Sequence, residues 1–146
     1  MATPRSVRFD DSVVERLASY VSRHPGLTAS SVAARLVDEG LRMEEHPGVI
    51  FRDGPMGRRA TLVGGPDVWE LIRALRSARG AEPRMTEAEV LELVADNSGV
   101  APRLVRIALD YWAAHPDGVD ALVDHAERID DSQRAAAERA RGLLAG

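Results

Sequence analysis

The first residues of the chain alternate polar and apolar side chains, which is the two-residue period of a β-strand with one dry and one wet face. In residues 4–9 (PRSVRF), Val7 and Phe9 share one face, and Ser6 and Arg8 share the other. No second strand follows within hairpin distance, so the unpaired N–H and C=O groups of this strand need a partner from elsewhere. The pattern therefore predicts pairing with the same strand of a second copy, as an antiparallel ribbon that fits a DNA major groove.

Two amphipathic helices are predicted after this strand. The first ends at the His-Pro-Gly of residues 24–26, and Thr28 or Ser30 caps the second, which ends at residues 45–48. Residues 1–46 then form a strand and two helices, and about 40 residues is the lower limit for an independent core. Their small size is a second reason to predict an intertwined dimer. The apolar stripes are Val13, Val14, Leu17, Ala18 and Val21 in the first helix, and Val32, Ala33, Leu36, Val37 and Leu41 in the second.

The order of these segments along the chain is typical of a known protein family. Ser-Val-Arg-Phe-Asp at residues 6–10, an amphipathic helix, the Gly-Leu-Thr-Ala-Ser turn at residues 26–30 and a second helix through residue 42 follow one another. This order resembles the ribbon–helix–helix family of dimeric DNA-binding proteins. The resemblance covers about a third of the chain.

The resemblance implies two groups of DNA-contacting residues. Ser6 and Arg8, with Pro4 or Arg5 depending on the register, would face the bases. The start of the second helix would hold a DNA phosphate, which agrees with the unpaired N–H groups and positive dipole end of a helix N-terminus. The residues so implied are Arg5, Ser6, Arg8, Thr28, Ser30 and Ser31.

A β-hairpin and three helices are predicted for residues 47–116. Two β-rich segments flank a Gly/Pro turn at residues 52–57. Capping boxes begin the first two helices, and Pro102 stands at the first position of the third. The Gly99 turn makes the last two helices a helix-turn-helix candidate. The β-rich segments are residues 49–51 and 59–63, and the capping boxes are Asp67 with Glu70 and Thr86 with Glu89.

Four short blocks stand in order along this region: residues 46–51 (HPGVIF), 57–60 (GRRA), Gly64 and 108–116 (ALDYWAAHP). Together, over residues 46–125, they resemble a small bacterial domain family formerly of unknown function, whose members are similar to VapB-type antitoxins encoded beside toxins with a PIN-type nuclease fold. The resemblance implies a helical, winged-helix-like or homeodomain-like fold and a toxin-neutralising or regulatory role. Gly65-Pro66 departs from the family, which more often has a Thr-Arg type pair there.

Residues 117–146 are predicted to form one long helix of about 27 residues. Apolar residues recur at alternating spacings of three and four, but Gln133 and alanines occupy the stripe after Ile129. A stripe this weak favours docking into a groove of another protein over a homomeric coiled coil. The predicted partner-binding residues are Val119, Leu122, Ala126, Ile129 and Leu143.

Net charge and composition restrict the classes of function and the location that the sequence allows. The net charge is −4, and residues 86–146 carry twelve acids and six arginines, whereas residues 1–9 carry two arginines and no acid. The chain has no cysteine, which excludes disulfides and thiolate chemistry. It has no apolar run of about 20 residues and no signal-peptide h-region, so we expect a cytoplasmic protein without a membrane partner.

Catalytic and metal-binding patterns are weak. His24, His46 and His115 each precede a proline at a predicted helix end, so we interpret them as helix-end residues and not as ligands. The sequence has no nucleophile–base pairing, and we expect no enzyme, metal or cofactor. Arg58 and Arg59 are equally consistent with two roles: exposed charges on the hairpin, or a clamp for a DNA phosphate. Two further arginines, Arg103 and Arg106, are candidates for DNA contact, but their helix has the composition of a core element.

The sequence thus predicts a mainly α fold with minor β structure. It divides into an N-terminal ribbon–helix–helix at residues 1–46, a hairpin with a helix-turn-helix-like domain at 47–116, and a C-terminal helix at 117–146. The predicted function is an antitoxin that binds operator DNA as a homodimer and neutralises a PIN-type nuclease toxin. The alternatives are a DNA-binding or ligand-sensing regulator without a toxin, and a dimeric interaction adaptor that binds no DNA.

Overall fold

A computed structural model describes residues 2–146, and within them the chain forms six helices and one two-stranded antiparallel sheet. The prediction of a mainly helical chain with minor β structure is confirmed. The elements are α1 Asp11–Ser22, α2 Ala29–Glu45, β1 Val49–Arg52, β2 Arg59–Leu62, α3 Val68–Ala81, α4 Glu87–Ser98, α5 Pro102–Ala114 and α6 Pro116–Ala145.

Local capping groups begin α2 and α4, and end α4, where the sequence predicts. Of the two candidate caps of α2, the structure uses Thr28, whose Oγ1 accepts the Ser31 N–H at 3.1 Å. Thr86 caps α4 in the same way, accepting the Glu89 N–H at 3.2 Å. Gly99 ends α4 with a φ of 69°, a left-handed conformation that glycine adopts without steric cost.

The hairpin is also confirmed. Val49 lies opposite Leu62 and Arg52 lies opposite Arg59, so β1 and β2 pair along their whole length. Reciprocal backbone hydrogen bonds of 2.9 and 3.0 Å between Gly54 and Gly57 close the turn.

The predicted strand at residues 4–9 does not form within the single chain. Residues 2–10 belong to neither helix nor strand and are exposed. A strand is defined by the neighbour to which it hydrogen-bonds, and none of the described residues of the same chain serves as that neighbour for residues 4–9. The intermolecular ribbon requires a second chain and stays a prediction.

The chain separates into two compact units, residues 1–42 and 43–146. In the second unit α3 packs against α4, α5, α6 and β2. The long helix α6, predicted as a segment of its own, therefore belongs to this unit. The largest fully buried side chains of this unit are Val49, Leu62, Val68, Leu71, Val94, Val105 and Val123.

Polar contacts attach the first half of α6 to the unit. Arg73 on α3 pairs with Asp130, and Arg76 pairs with Asp120, whose Oδ1 also accepts the Trp112 Nε1–H at 2.8 Å. The Trp112 hydrogen bond and the Arg76 guanidinium lower the pKa of Asp120, and the hydrogen bond to Asp130 raises the pKa of Arg73. Beyond Asp130 every residue of α6 except half-buried Ala135 is exposed. No described helix is both long and apolar enough to span a bilayer.

Candidate nucleic-acid interface

An open apolar groove lies between α1 and α2 in the first unit. Its volume is about 610 Å³. None of the residues of α1 is buried, and Val32 on α2 is the one buried apolar side chain among the described residues of this unit. The apolar stripes predicted for both helices are therefore real but largely uncovered. The apolar residues lining the groove are Phe9, Val13, Leu17, Tyr20, Ala33, Leu36 and Val37.

Polar contacts join α1 and α2 beside this groove. Arg35 on α2 donates a hydrogen bond to the Tyr20 hydroxyl at 2.7 Å, and its guanidinium lies 5.7 Å from the centre of the Tyr20 ring. The His24 ring stacks on Tyr20 at 4.0 Å, and its Nδ1 lies 2.8 Å from the Tyr20 carbonyl oxygen. His24 thus stabilises the C-terminal end of α1, as interpreted from the sequence.

The residues predicted to read bases lie directly before the groove in the chain. Arg5, Ser6 and Arg8 are exposed, and Phe9, the next residue, is part of the groove wall. A molecule that packs on Phe9 in the groove would therefore contact the segment that carries these arginines. This continuity links the apolar groove to the predicted DNA-contacting residues.

The start of α2 has the form expected of an anion site. Thr28, Ser30 and Ser31 are exposed. The Thr28 N–H donates to Ser31 Oγ at 3.2 Å, and Ser31 Oγ donates to the Thr28 carbonyl at 3.0 Å, so both hydroxyls support the helix start. The first N–H groups of a helix have no acceptor within the helix, and such groups favour a phosphate.

Arg59 has a structural role that neither sequence interpretation foresaw. It forms a half-buried ion pair with Asp67, the residue before α3, and Asp67 also accepts the Trp69 Nε1–H at 3.2 Å. A Cβ on Gly54 would lie 2.2 Å from an Arg59 nitrogen, so the guanidinium packs on the hairpin turn. A phosphate contact by Arg59 would have to compete with this pair, and the phosphate-clamp role of Arg59 stays a prediction.

Arg58 and the arginines of α5 are placed differently. Arg58 pairs with Asp53 at 3.5 Å within the hairpin, so it too is partly neutralised. Arg103 and Arg106 are exposed, whereas Val105 of the same helix is fully buried. The interpretation of α5 as mainly a core helix agrees with this placement, and α4 and α5 are joined by a turn of three residues.

The predicted partner surface on α6 is divided by the fold. Val119 and Ala126 are buried in the second unit, so a partner could reach these two only if the unit opened, whereas Leu122 is half-buried. Ile129 is 40 % exposed and Leu143 is 85 % exposed. The heptad line missed fully buried Val123, because the apolar face of a helix docked on a globular core is wider than the a/d line of a coiled coil. It also left out Leu144, which is 88 % exposed.

The charge of α6 is also divided. Residues 117–131 carry six acids and one arginine, whereas residues 132–146 carry one acid and three arginines. The acidic half is the half attached to α3, and Arg73 and Arg76 pair with two of its carboxylates. The exposed end of α6 therefore combines a net positive charge with apolar residues.

A second group of polar side chains lies at the end of α2 and the end of α5. Glu45, His46 and His115 each offer one metal-ligand atom, and these atoms lie within 4.8 Å of one another. Both histidines stand at helix ends, as interpreted from the sequence, but sequence spacing contained no signal that they would meet.

No family model, curated protein or solved structure matches the chain in the comparisons. Its function must therefore be inferred from its own residues and their geometry.

Proposed function

We propose that the protein is a homodimeric DNA-binding repressor of the antitoxin type. Its N-terminal segments pair across a two-fold axis and read operator DNA, and the exposed end of α6 binds a protein toxin. The observation that carries the proposal is the uncovered apolar groove of residues 1–42, one wall of which is Phe9. The residue before it, Arg8, belongs to a segment with arginines and no acid.

A second copy is the occupant that best fits the groove. Leu36 and Val37 are 43 % and 57 % exposed, and each Å² of apolar surface removed from water contributes about 25 cal/mol. In a symmetric pair the same patch of both chains is covered at once. The exposed Val7 and Phe9 would then lie on the dry face of the ribbon, and the groove would supply its base.

The charge distribution supports DNA as the ligand of the first unit. Residues 1–42 carry six arginines and five acids, whereas residues 43–146 carry thirteen arginines and eighteen acids. The first unit is thus slightly basic in an acidic chain, and a dimer doubles its charge. A two-stranded ribbon positioned by two helix N-termini fits the arrangement in which phosphates orient a protein and groove contacts read the sequence.

The dimer is tested by placing a charge in the groove. Phe9→Asp should convert a dimer to a monomer in sedimentation equilibrium, because a carboxylate would be buried between two apolar faces. Val63→Asp is the matched control, since Val63 is 58 % exposed in the second unit and its variant should stay dimeric. A wild-type monomer at micromolar concentration would contradict the proposed dimer.

DNA reading is tested with duplexes that tile the region upstream of the protein's own reading frame. Arg8→Ala should lose sequence-specific binding at a given salt concentration, whereas Arg84→Ala, at another exposed arginine, should bind as the wild type does. Wild-type affinity should fall by orders of magnitude from low to physiological salt as counterions are released. If no upstream or random duplex binds at low salt, the protein is not a DNA-binding repressor.

The toxin-binding part rests on the apolar end of α6. Leu143 and Leu144 are the most exposed large apolar residues of the described chain, and a helix end of this kind typically inserts into a groove. Co-purification with the product of the adjacent reading frame should be lost in Leu143→Asp and kept in Ser132→Asp. A dimer that binds that product but no DNA would favour the adaptor alternative.

A further inference from the structure

The strongest feature outside the proposed DNA surface is the group formed by Glu45, His46 and His115. Glu45 is the last residue of α2, His46 follows it, and His115 lies between α5 and α6. The Nε2 atom of His115 is 3.9 Å from Oε2 of Glu45, and one ligand atom from each of the three residues lies within 4.8 Å of the other two. The fold thus brings together two imidazoles and a carboxylate from positions almost seventy residues apart.

We propose that this group is a binding site for a divalent transition-metal ion, with Zn²⁺ as the expected ion. Zinc binds imidazole nitrogen and carboxylate oxygen at about 2.0–2.2 Å, which puts neighbouring ligand atoms of a tetrahedral site about 3.4 Å apart. The separation of 3.9 Å between His115 and Glu45 exceeds this by about 0.5 Å, and the other separations are at most 4.8 Å. The Glu45 side chain is 58 % exposed, so its rotation can bring the carboxylate closer to both imidazoles without a change of the backbone.

The two imidazoles are held by rigid surroundings. Their ring centres are 5.6 Å apart, and the rings are nearly perpendicular. The ring of Tyr111, which is 3 % exposed, lies 5.4 Å from His46 and 5.2 Å from His115. A proline follows each histidine and restricts its backbone. A site held in this way needs little reorganisation when it takes up an ion.

The donor set selects the class of ion. Two nitrogens and one carboxylate suit zinc and its neighbours in the first transition row, whereas magnesium and calcium take oxygen ligands. Three protein ligands leave a fourth position for water or for a ligand from another molecule. A bound ion would also join the end of α2 to the end of α5. The site lies in the second unit and does not depend on the proposed DNA binding.

The same geometry has a simpler interpretation, in which aromatic rings pack together and Glu45 interacts with His115 without an ion. The two interpretations differ in one measurable property. A metal site takes up one ion per chain with an affinity that depends on all three residues, whereas a ring cluster takes up none.

The test is calorimetric titration of the untagged full-length protein with ZnCl₂, with Co²⁺ absorption as a second readout of tetrahedral coordination. We expect one ion per chain and at least about tenfold weaker binding in His46→Ala, His115→Ala and Glu45→Gln. The matched controls are His24→Ala and His125→Ala, which remove the other two histidines of the chain and should bind zinc as the wild type does.

Two further measurements keep the proposal open to contradiction if a histidine variant does not fold. Glu45→Gln changes an exposed side chain, so it should keep the wild-type circular dichroism spectrum while it weakens zinc binding. In the wild type, one equivalent of Zn²⁺ should shift the imidazole ¹⁵N resonances of His46 and His115 and not those of His24 and His125. Absence of wild-type zinc binding, or binding that persists in Glu45→Gln and shifts only His125, would overturn the site.

Discussion

The two units differ in how far they bury the apolar faces of their amphipathic helices. In residues 43–146, α3 is covered by three helices and a strand, and fifteen of the sixteen buried apolar side chains among the described residues belong to this unit. In residues 1–42, α1 and α2 have equally clear apolar stripes, but one apolar side chain is buried. The second unit thus covers the apolar faces of its helices within one chain, whereas those of α1 and α2 stay largely uncovered, which is the basis of the proposed dimer.

The largest expected effect is in the complete core. Leu71→Ala should lower the free energy of unfolding of the second unit by about 3 kcal/mol, because it removes a fully buried side chain and leaves a cavity. Urea unfolding followed by tryptophan fluorescence measures this unit alone, since Trp69 and Trp112 both lie in it. Leu144→Ala, at an exposed position, should change little. Equal losses in the two variants would contradict the assigned core.

The next expected effect is a dependence on protein concentration that the stability of the first unit shows and that of the second unit does not. If a second copy covers the groove, a hundredfold rise in protein concentration should stabilise the dimer by about 2.7 kcal/mol, which is about 1.4 kcal/mol for residues 1–42 of each chain, by mass action. Circular dichroism should then show an early transition that moves with concentration, while the tryptophan signal of the second unit stays constant. If neither signal depends on concentration, the open groove is a property of a stable monomer.

The smallest effect concerns the attachment of α6. Asp120→Ala removes the acceptor of the Trp112 hydrogen bond and the Arg76 ion pair, and should cost about 1 kcal/mol after allowance for the partial exposure of the carboxylate. Asp124→Ala, at an exposed acid one turn further along α6, is the matched control. A loss of the same size in both variants would contradict a specific role for Asp120.

The pH dependence of this effect has a defined sign. The pKa of Asp120 is lower in the folded chain than in the unfolded chain, so its contribution is complete above an unfolded pKa of about 3.9. The contribution is lost as the pH falls through the folded pKa. The difference in unfolding free energy between wild type and Asp120→Ala should therefore be constant near neutral pH and disappear in strong acid.

Features set by neighbouring residues were predictable. Thr28 and Thr86 cap their helices, Pro102 begins α5, Gly99 ends α4 and the hairpin turns at the Gly/Pro segment, because each depends on hydrogen bonds or dihedral angles within a few residues. Side-chain roles were less predictable. Arg59 was equally consistent with a surface charge and a phosphate clamp, but its partner Asp67 is eight residues away, beyond β2 and the turn that follows it.

Periodicity along one helix also has a limit. It identified Val119 and Ala126 as part of an apolar stripe on α6, but it could not say whether the same chain or another protein covers that stripe. Docking on α3 answers this for the first half of the helix, and Leu143 and Leu144 remain exposed at the other end.

Capping groups, turn residues and apolar stripes thus specify the ends and the apolar sides of several elements of this chain, among them α2, α4 and the hairpin, because these are short-range properties. Folding in three dimensions adds the identity of the neighbours: Asp67 for Arg59, α3 for the first half of α6, and His115 for Glu45 and His46. Such pairs depend on how distant segments pack, and spacing along the chain carries no record of that packing.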